Sequence, residues 1–184
     1  MPAGGVAYQV LDGRSAASKA DDLLALAHEV DAEAGGTLDR QFRVWCRQPG
    51  FVLAEARHGG FLVGYASGMP LRLSTSWWRG LTTPLPAEFT TEHPGRTFAL
   101  TQLLVRAAWR RQGIGTELYG RVMSARPEER ATLTVPPGAA AAQAAFRAWG
   151  WRKVARTQGD DAESAALDVL VTSLPVSLPG LSPR

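Results

Sequence analysis

Residues 110–116 read Arg-Arg-Gln-Gly-Ile-Gly-Thr and combine adjacent cations with two glycines and a hydroxyl. This segment, the phosphate loop, follows an apolar run and precedes helical periodicity, so it is predicted to open a helix. The first N–H groups of a helix lack intrahelical partners and carry a partial positive charge. Glycines at 113 and 115 leave those groups accessible to a pyrophosphate, and Thr116 adds a hydroxyl. The pattern predicts a site for a phosphorylated ligand.

The phosphate loop differs from two common phosphate-binding motifs. A P-loop would place Lys after its last glycine, and a dinucleotide-binding loop would need a third glycine three residues later. Here Thr116 and Glu117 follow Gly115 instead. By itself, a Gly-x-Gly segment is more often a simple turn between a strand and a helix. The flanking elements therefore decide the interpretation.

Two strands and a helix must position this loop. Phe98–Val105 is an apolar strand, and Ala131–Val135 is the next strand along the chain. The helix between them carries one apolar stripe, formed by Ile114, Leu118, Val122 and Met123. A strand–helix–strand order implies a right-handed crossover and a parallel pair of strands.

Apolar spacing predicts two helices near the N-terminus, after a short strand at Val6–Leu11. The first helix begins at a Ser15 or Ser18 cap. Its apolar stripe consists of Ala20, Leu23, Leu24 and Ala27. The second helix covers Leu38–Arg47, with four partly buried side chains at Phe42, Val44, Trp45 and Cys46.

Glycines and apolar runs predict two antiparallel hairpins. Phe51–Arg57 and Phe61–Ser67 flank His58-Gly59-Gly60, in which glycine can adopt positive φ. Residues 151–157 and 166–172 predict a closing hairpin near the C-terminus. An Ala-rich helix precedes it, and Gly150 is suited to the position after the helix C-cap.

Arg110 to Gly115 matches the Gln/Arg-x-x-Gly-x-Gly/Ala signature of the GNAT N-acetyltransferase superfamily. The hairpin ending in Val63-Gly64-Tyr65-Ala66 resembles the central hairpin of that family. Gly150-Trp151 resembles its closing Gly-aromatic pair, and the resemblance spans roughly residues 6–172. It implies an α/β GNAT fold: a mixed central β-sheet of about six to seven strands, splayed between strands 4 and 5, with about four flanking helices.

In this family acyl-CoA lies where the two central parallel strands splay apart. The resemblance implies acetyl-CoA as the co-substrate, with its pyrophosphate on the N–H groups of the phosphate loop. It also implies that the Val105 N–H is the oxyanion donor to the thioester oxygen. The implied cofactor-binding residues are Leu103, Leu104, Val105, Arg110, Arg111, Gln112, Gly113, Ile114, Gly115, Thr116, Ala142 and Phe146.

The chain departs from the family pattern at its catalytic positions. Ala139 and Phe146 stand where many relatives carry Asn and Tyr, and phenylalanine cannot donate a proton. Thr101 and Gln102 stand on the central strand, where some relatives carry a catalytic Glu. Neither residue is a useful base at neutral pH.

Candidate bases therefore come from elsewhere in the chain. Residues 73–96 form a long segment without clear periodicity, and such a loop is often functional. It carries the candidate bases Glu88, Glu92 and His93, each also interpretable as an exposed loop charge. His28 and Glu29 are further candidates, with a helix surface as the alternative. Trp77 and Trp78 either stack on the acceptor or seal the edge of the core.

Charge is unevenly distributed along the chain. Residues 21–39 carry six acidic side chains and no Lys or Arg, whereas residues 106–130 carry six arginines and three glutamates. A cationic ligand near the first segment and an anionic ligand near the second are consistent with this. Two solvated helix faces are the alternative.

The predicted function is transfer of an acetyl group from acetyl-CoA to a primary amine of a small molecule or peptide. The amine attacks the thioester directly, without a metal. The alternative is a GNAT-fold sensor that binds acyl-CoA without catalysis. A nucleic-acid binder is disfavoured because only Trp109 and Tyr119 interleave with the arginines. A homodimer is compatible with the family.

Composition sets the remaining expectations. A chain of 184 residues suits a single domain, predicted over 1–174, with 175–184 as a loose tail. The net charge of +3 does not indicate nucleic-acid binding, and the single cysteine excludes an intramolecular disulfide. The sequence lacks a secretory pattern and an apolar stretch of ~18 residues, so a cytoplasmic protein without a membrane span is expected.

Overall fold

The computed structural model describes residues 5–31, 35–124, 126–158 and 165–176. The strands are Val6–Asp12 (β1), Val52–His58 (β2), Phe61–Pro70 (β3), Thr97–Val105 (β4), Arg130–Val135 (β5), Arg152–Thr157 (β6) and Leu167–Ser173 (β7). The helices are Gly13–Ser18 (α1), Ala20–Val30 (α2), Gly35–Trp45 (α3), Ala87–Thr90 (α4), Ile114–Met123 (α5) and Ala140–Ala148 (α6). Of the predicted tail, residues 177–184 lie outside the described residues.

The strands form one mixed sheet in the order β1-β2-β3-β4-β5-β7-β6. β4 and β5 are parallel and pair over three residues, from Thr97–Arg130 to Ala99–Thr132. The β2–β3 and β6–β7 pairs are antiparallel. The predicted fold class, the parallel pair and both hairpins are therefore confirmed. The described residues form six α-helices rather than about four, because α1 and the four-residue α4 are also helical.

The chain divides into two compact units. Unit 1 comprises Met1–Met69 with Leu100–Ser124, and unit 2 comprises Pro70–Ala99 with Ala125–Arg184. β4 contributes its first three residues to unit 2 and its remaining residues to unit 1.

The core of unit 1 forms around the N-terminal helices. The predicted stripe of α2 is buried throughout, at Ala20, Leu23, Leu24 and Ala27. The predicted serine caps are wrong, because Ser15 and Ser18 lie inside α1, where Asp12 is the N-cap and accepts the Ser15 N–H at 2.8 Å. The N-cap of α2 is Lys19, which makes no side-chain cap hydrogen bond. Phe42 on α3 is buried, as is Cys46 directly after the helix, but Val44 is 52% exposed because it lies on the solvent face of the helix.

In unit 2, strands β5, β7 and β6 carry buried apolar side chains, among them Leu133, Val169, Leu170, Val171 and Ala155. Phe146 on α6 is buried and packs edge-to-face on Trp151, with ring centroids 5.8 Å apart. Gly150 ends the helix at φ +87°, and the N–H groups of Gly150 and Trp151 donate to the carbonyls of Arg147 and Phe146. This is the Schellman arrangement that favours glycine, and it confirms the predicted role of Gly150.

Candidate functional site

A close approach of β3 to β4 supports the strand that leads into the phosphate loop. A Cβ on Gly64 would lie 2.7 Å from the Leu104 carbonyl oxygen and 3.3 Å from the Val105 Cα. Only glycine therefore fits at this position. The Arg106 N–H donates to the Val63 carbonyl at 2.9 Å, which fixes the chain where β4 ends.

The side chain of Arg106 holds the same corner of unit 1. Its Nε donates to the Leu62 carbonyl at 2.8 Å, and its guanidinium lies 4.5 Å from the centre of the Phe61 ring. It also forms an ion pair with Glu29. Arg106 and Glu29 thus support the start of the turn, and the Glu29 carboxylate is engaged rather than free to act as a base.

The backbone of the phosphate loop is left-handed at two alternate residues. Arg110 is extended, Arg111 has φ +62° and Gly113 has φ +80°. A left-handed conformation costs a residue with a side chain about 1–2 kcal/mol, so Arg111 is strained. Left-handed residues between right-handed or extended ones turn successive N–H groups toward one side, which forms an anion-binding concavity.

Neither glycine of the loop is required by close packing. A Cβ on Gly113 would meet no atom within 4 Å, so its positive φ is the only local reason for glycine. A Cβ on Gly115 would lie 3.8 Å from Val105 Cγ2, an ordinary contact. Glycine inside a helix costs about 1 kcal/mol relative to alanine. Packing inside the protein therefore does not explain a glycine at 115. Close approach of a ligand to the backbone would explain it.

The arginines of the basic segment 106–130 fall into two groups. Four are paired with carboxylates: Arg106 with Glu29, Arg121 with Glu117, Arg126 with Glu128, and Arg130 with Glu92. Among the described residues, no carboxylate lies within ion-pair distance of Arg110 or Arg111, and both are exposed. Four of the six arginines of this segment are therefore neutralised, and within the described part of the chain Arg110 and Arg111 of the phosphate loop are not.

Internal bonds also hold the side chains that surround the loop. The Arg110 Nε donates to the Val105 carbonyl at 3.0 Å, which directs this side chain back along β4. Gln112 donates from Nε2 to the Ala108 carbonyl at 3.2 Å, while its Oε1 is buried without a hydrogen-bond partner. Trp109 packs on His58, with ring centroids 4.9 Å apart.

Thr101 and Gln102 on β4 take part in a polar ladder with β3. The Tyr65 hydroxyl donates to Gln102 Oε1 at 3.0 Å, and the hydroxyls of Ser67 and Thr101 are 2.9 Å apart. Burial raises the pKa of Tyr65 above its ordinary value. These four neutral side chains satisfy one another's hydrogen-bonding groups. The sequence had indicated only that neither Thr101 nor Gln102 is a base.

In unit 2, the candidate base Glu92 lies at the centre of a buried network. Its Oε1 accepts hydrogen bonds from Trp78 Nε1 at 2.8 Å, Thr97 Oγ1 at 2.9 Å and Arg130 Nη2 at 3.1 Å. The side chain is 0% exposed, and its Oε2 is buried without a partner. These contacts fit an anchor for the long loop better than a base that must meet solvent-borne substrate.

Arg130 is enclosed by the same network. Its guanidinium lies 4.5 Å from the centre of the Phe89 ring and 5.1 Å from that of Trp78. Burial lowers the pKa of Arg130, and the hydrogen bond to Glu92 opposes this effect. The sequence alone did not identify this pair, whose members are 38 residues apart.

The other two candidate bases, Glu88 and His93, are exposed. The Glu88 backbone carbonyl accepts a hydrogen bond from Arg96 at 2.5 Å, and Glu88 lies in the first turn of α4. His93 Nε2 lies 3.6 Å from Glu129 Oε1. Their assignment as bases stays a prediction.

The tryptophans of the long loop point their N–H groups inward. Trp77 Nε1 donates to Thr132 Oγ1 at 3.1 Å, and Trp78 Nε1 donates to Glu92. Both rings are partly buried. Of the two predicted roles, these contacts favour sealing the edge of the core of unit 2.

Ala142 and Phe146, predicted to line the cofactor cleft, both lie on α6. Phe146 packs on Trp149 and Trp151 within unit 2, and Ala142 is partly buried. Their contact with a cofactor stays a prediction, as does the role of the Val105 N–H.

The described residues place limits on other kinds of site. Among them, no three His, Cys, Asp or Glu side chains are arranged to hold a metal ion. In the same part of the chain, no helix combines the length and the apolar character that crossing a bilayer requires.

Comparison with solved structures finds many similar folds. The ribosomal-protein-S18-alanine N-acetyltransferase from Escherichia coli has a TM-score of 0.67 at 11% identity, covering 96% of this chain and 99% of the other. NAA60 from Arabidopsis thaliana, solved with a bisubstrate analogue, has a TM-score of 0.66 at 13% identity, with coverages of 92% and 99%. An aminoglycoside 6'-acetyltransferase type Ii has a TM-score of 0.64 at 14% identity, with coverages of 91% and 96%.

These likenesses define the fold class, a mixed α/β sheet of the acetyltransferase type. The sequence profile of the acetyltransferase (GNAT) family matches residues 20–151, well over half of the chain. The protein therefore belongs to the GNAT acetyltransferase family. No curated protein sequence matches the chain.

Proposed function

We propose that this protein is an N-acyltransferase that moves an acetyl group from acetyl-CoA to a primary amine. The observation that carries the proposal is the phosphate loop at the start of α5, with left-handed Arg111 and Gly113. The Arg110 and Arg111 cations of this loop are exposed and have no ion-pair partner among the described residues. Such a site suits a diphosphate, because exposed N–H groups and positive charge act on the same anion. Family membership supports acetyl-CoA as the carrier of that diphosphate.

The reaction needs no covalent enzyme intermediate. The neutral amine attacks the thioester carbonyl, a C–N bond forms, the C–S bond breaks, and CoA leaves as thiolate or thiol. The nitrogen gives up one proton to a base or to water. Cys46, the only cysteine, is buried, and desolvation raises the pKa of its thiol to about 11. A thiol with so little thiolate is unsuited to carry the acetyl group.

Proton transfer is proposed to use exposed groups or water. His93 and Glu88 are the exposed candidate bases, whereas Glu92 is enclosed by Arg130, Trp78 and Thr97. Phe146 has no proton to donate, so the departing sulfur takes its proton from water or leaves as thiolate.

The acceptor is proposed to be the amine of a small molecule or a peptide. The structural neighbours act on both kinds, since one is a ribosomal-protein-alanine N-acetyltransferase and another an aminoglycoside 6'-acetyltransferase. At 11–14% identity these likenesses support the fold rather than a particular acceptor.

The test is release of free CoA thiol from acetyl-CoA against a panel of peptide N-termini, lysine peptides and aminoglycosides. We expect acceptor-dependent thiol release and a product heavier by one acetyl group in mass spectrometry. Gly113→Asp should abolish or strongly reduce this activity. Thiol release that is independent of every acceptor, or unchanged in Gly113→Asp, would contradict the proposal.

An acyl-CoA sensor is the second candidate, favoured by the engagement of Glu92 and by Phe146 in place of a proton donor. A sensor should bind acetyl-CoA with an affinity that depends on Gly113 yet release no thiol with any amine. The same panel, combined with calorimetric binding of acetyl-CoA, separates the two functions.

A further inference from the structure

A second cluster of charged residues lies in unit 2, on the side of α6 that faces the β6–β7 hairpin. A groove of about 650 Å³ opens there. Its lining includes three cations and one carboxylate: Arg147, Arg152, Lys153 and Asp168. The remaining lining is largely apolar, from Pro137, Ala140, Ala144, Trp151 and Leu170, together with Gln143.

The carboxylate of the groove is fully occupied. Asp168 is only 5% exposed; its Oδ1 lies 2.7 Å from Lys153 Nζ and 2.9 Å from Arg156 Nε, and its Oδ2 accepts from Gln143 Nε2 at 3.2 Å. Burial by itself would raise the pKa of Asp168, but the hydrogen bonds and charges of Lys153 and Arg156 lower it overall. Asp168 therefore stays ionised at neutral pH and offers no free oxygen to a cationic ligand.

Unlike the Asp168 carboxylate, the two arginines of the groove are available to a ligand. Arg147 and Arg152 are exposed, and among the described residues neither has a carboxylate within ion-pair distance. A guanidinium presents several N–H donors in a fixed plane and binds carboxylate or phosphate through paired hydrogen bonds. The lining thus carries a net charge of +2, from three cations and one anion.

We propose that this groove is a binding site for a small organic anion, one that carries a phosphate or carboxylate on an apolar body. Arg147 and Arg152 hold the anionic group, and the apolar lining of Ala140, Ala144 and Leu170 takes the carbon skeleton. Asp168 fixes Lys153 and Gln143 in place around it. The proposal is independent of the phosphate loop, which belongs to unit 1.

The probe is phenyl phosphate, titrated calorimetrically into the full chain, with inorganic phosphate and phenol as the separate halves of the ligand. We expect phenyl phosphate to bind more tightly than either half. In the Arg147→Gln/Arg152→Gln variant its affinity should fall by about 10-fold or more, because charge-assisted hydrogen bonds are lost. Both side chains are exposed, so the variant should keep the thermal midpoint of the parent.

Matched controls locate the binding. Arg72→Gln/Arg79→Gln removes two exposed arginines of unit 2 that do not line the groove, and it should leave the affinity unchanged. Saturation with coenzyme A and the Gly113→Asp variant should also leave it unchanged, which distinguishes this site from that of the proposed co-substrate.

Three results would overturn the proposal. One is the absence of calorimetric binding, and another is an equal loss of affinity in both arginine double variants. The third is binding that coenzyme A or Gly113→Asp removes while Arg147→Gln/Arg152→Gln keeps it. None of these results bears on thiol release from acetyl-CoA, so failure here leaves the proposed function standing.

Discussion

The phosphate loop of unit 1 and the long loop of unit 2 both contain or contact arginine, but the surroundings of those arginines differ. Arg110 and Arg111 are exposed, and no carboxylate among the described residues lies within ion-pair distance of either. Arg130 is 11% exposed at its side chain and enclosed by Glu92, Trp78 and Phe89. The arginines of the phosphate loop are thus available for binding, whereas Arg130 contributes to the stability of the long loop.

Burial decides whether an arginine contributes to stability or to ligand binding. A buried cation is useful only with its partner, because removing one member leaves an uncompensated charge. An exposed unpaired cation costs little in the folded protein and stays available to an anion. Substitution of Arg130 should accordingly affect mainly unfolding, and substitutions in the phosphate loop should affect mainly ligand binding.

The largest effect is expected for Arg130→Ala. The Glu92 carboxylate, 0% exposed, would lose its cation, and breaking such a pair typically costs about 3–5 kcal/mol of unfolding free energy. Urea denaturation measures the change. Arg72→Ala is the matched control, since its side chain is exposed, and it should stay within about 0.5 kcal/mol of the parent. Similar midpoints for the two variants would remove the contrast between the arginines.

A smaller effect, mainly on binding, is expected for Gly113→Asp. A Cβ at 113 meets open space, and the strain of a side chain at φ +80° costs about 1 kcal/mol, so the protein stays folded. The new carboxylate would repel a bound diphosphate and weaken acetyl-CoA binding by about 10-fold or more. Calorimetry compares it with Gly113→Asn, which has the same shape without the charge. Equal affinities in the two variants would argue against an anion at this loop.

The smallest effect, with opposite signs for stability and binding, is expected for Arg111→Gly. Relief of the left-handed strain at φ +62° exceeds the entropic cost of glycine, so the unfolding free energy should rise by up to ~1 kcal/mol. Loss of the cation should at the same time weaken acetyl-CoA binding a few-fold, to roughly the degree expected for one charge-assisted contact. Thermal unfolding and calorimetry measure the two quantities on the same sample.

Arg110→Gly is the control for this pair of measurements. It removes a neighbouring cation at a residue with φ −71°, where no strain is relieved. Its stability should therefore fall slightly instead of rising. A gain in stability at Arg110 as large as that at Arg111 would show that strain is not the cause.

Local features of the fold were predictable because they depend on residues close in sequence. The stripe of α5, the glycine turn of the β2–β3 hairpin and the cap at Gly150 each involve residues a few positions apart, and each is confirmed. The predicted serine caps were wrong, because Ser15 and Ser18 lie inside α1, which Asp12 caps from a β-region backbone, and α2 begins after Lys19. The predicted partial burial of Val44 was also wrong, because tertiary packing leaves this side chain exposed.

The side-chain pairs of the candidate site were beyond sequence reasoning. Glu92 was predicted as a base from its type and loop, yet Arg130, which neutralises it, lies on a strand 38 residues away. Glu29 was a second candidate, and its partner Arg106 lies at the end of β4. Whether a carboxylate is a base or half of an ion pair depends on such contacts.

By itself, the sequence determined the order of the strands and the four longer helices, the position of the phosphate loop and the family to which this chain belongs. Those properties follow from periodicity, turn residues and a short motif, all of which are local. Only the tertiary structure decided which arginines are neutralised, which carboxylates are buried and that Arg111 is left-handed. Those outcomes depend on distances between residues far apart in the chain, and folding alone sets such distances.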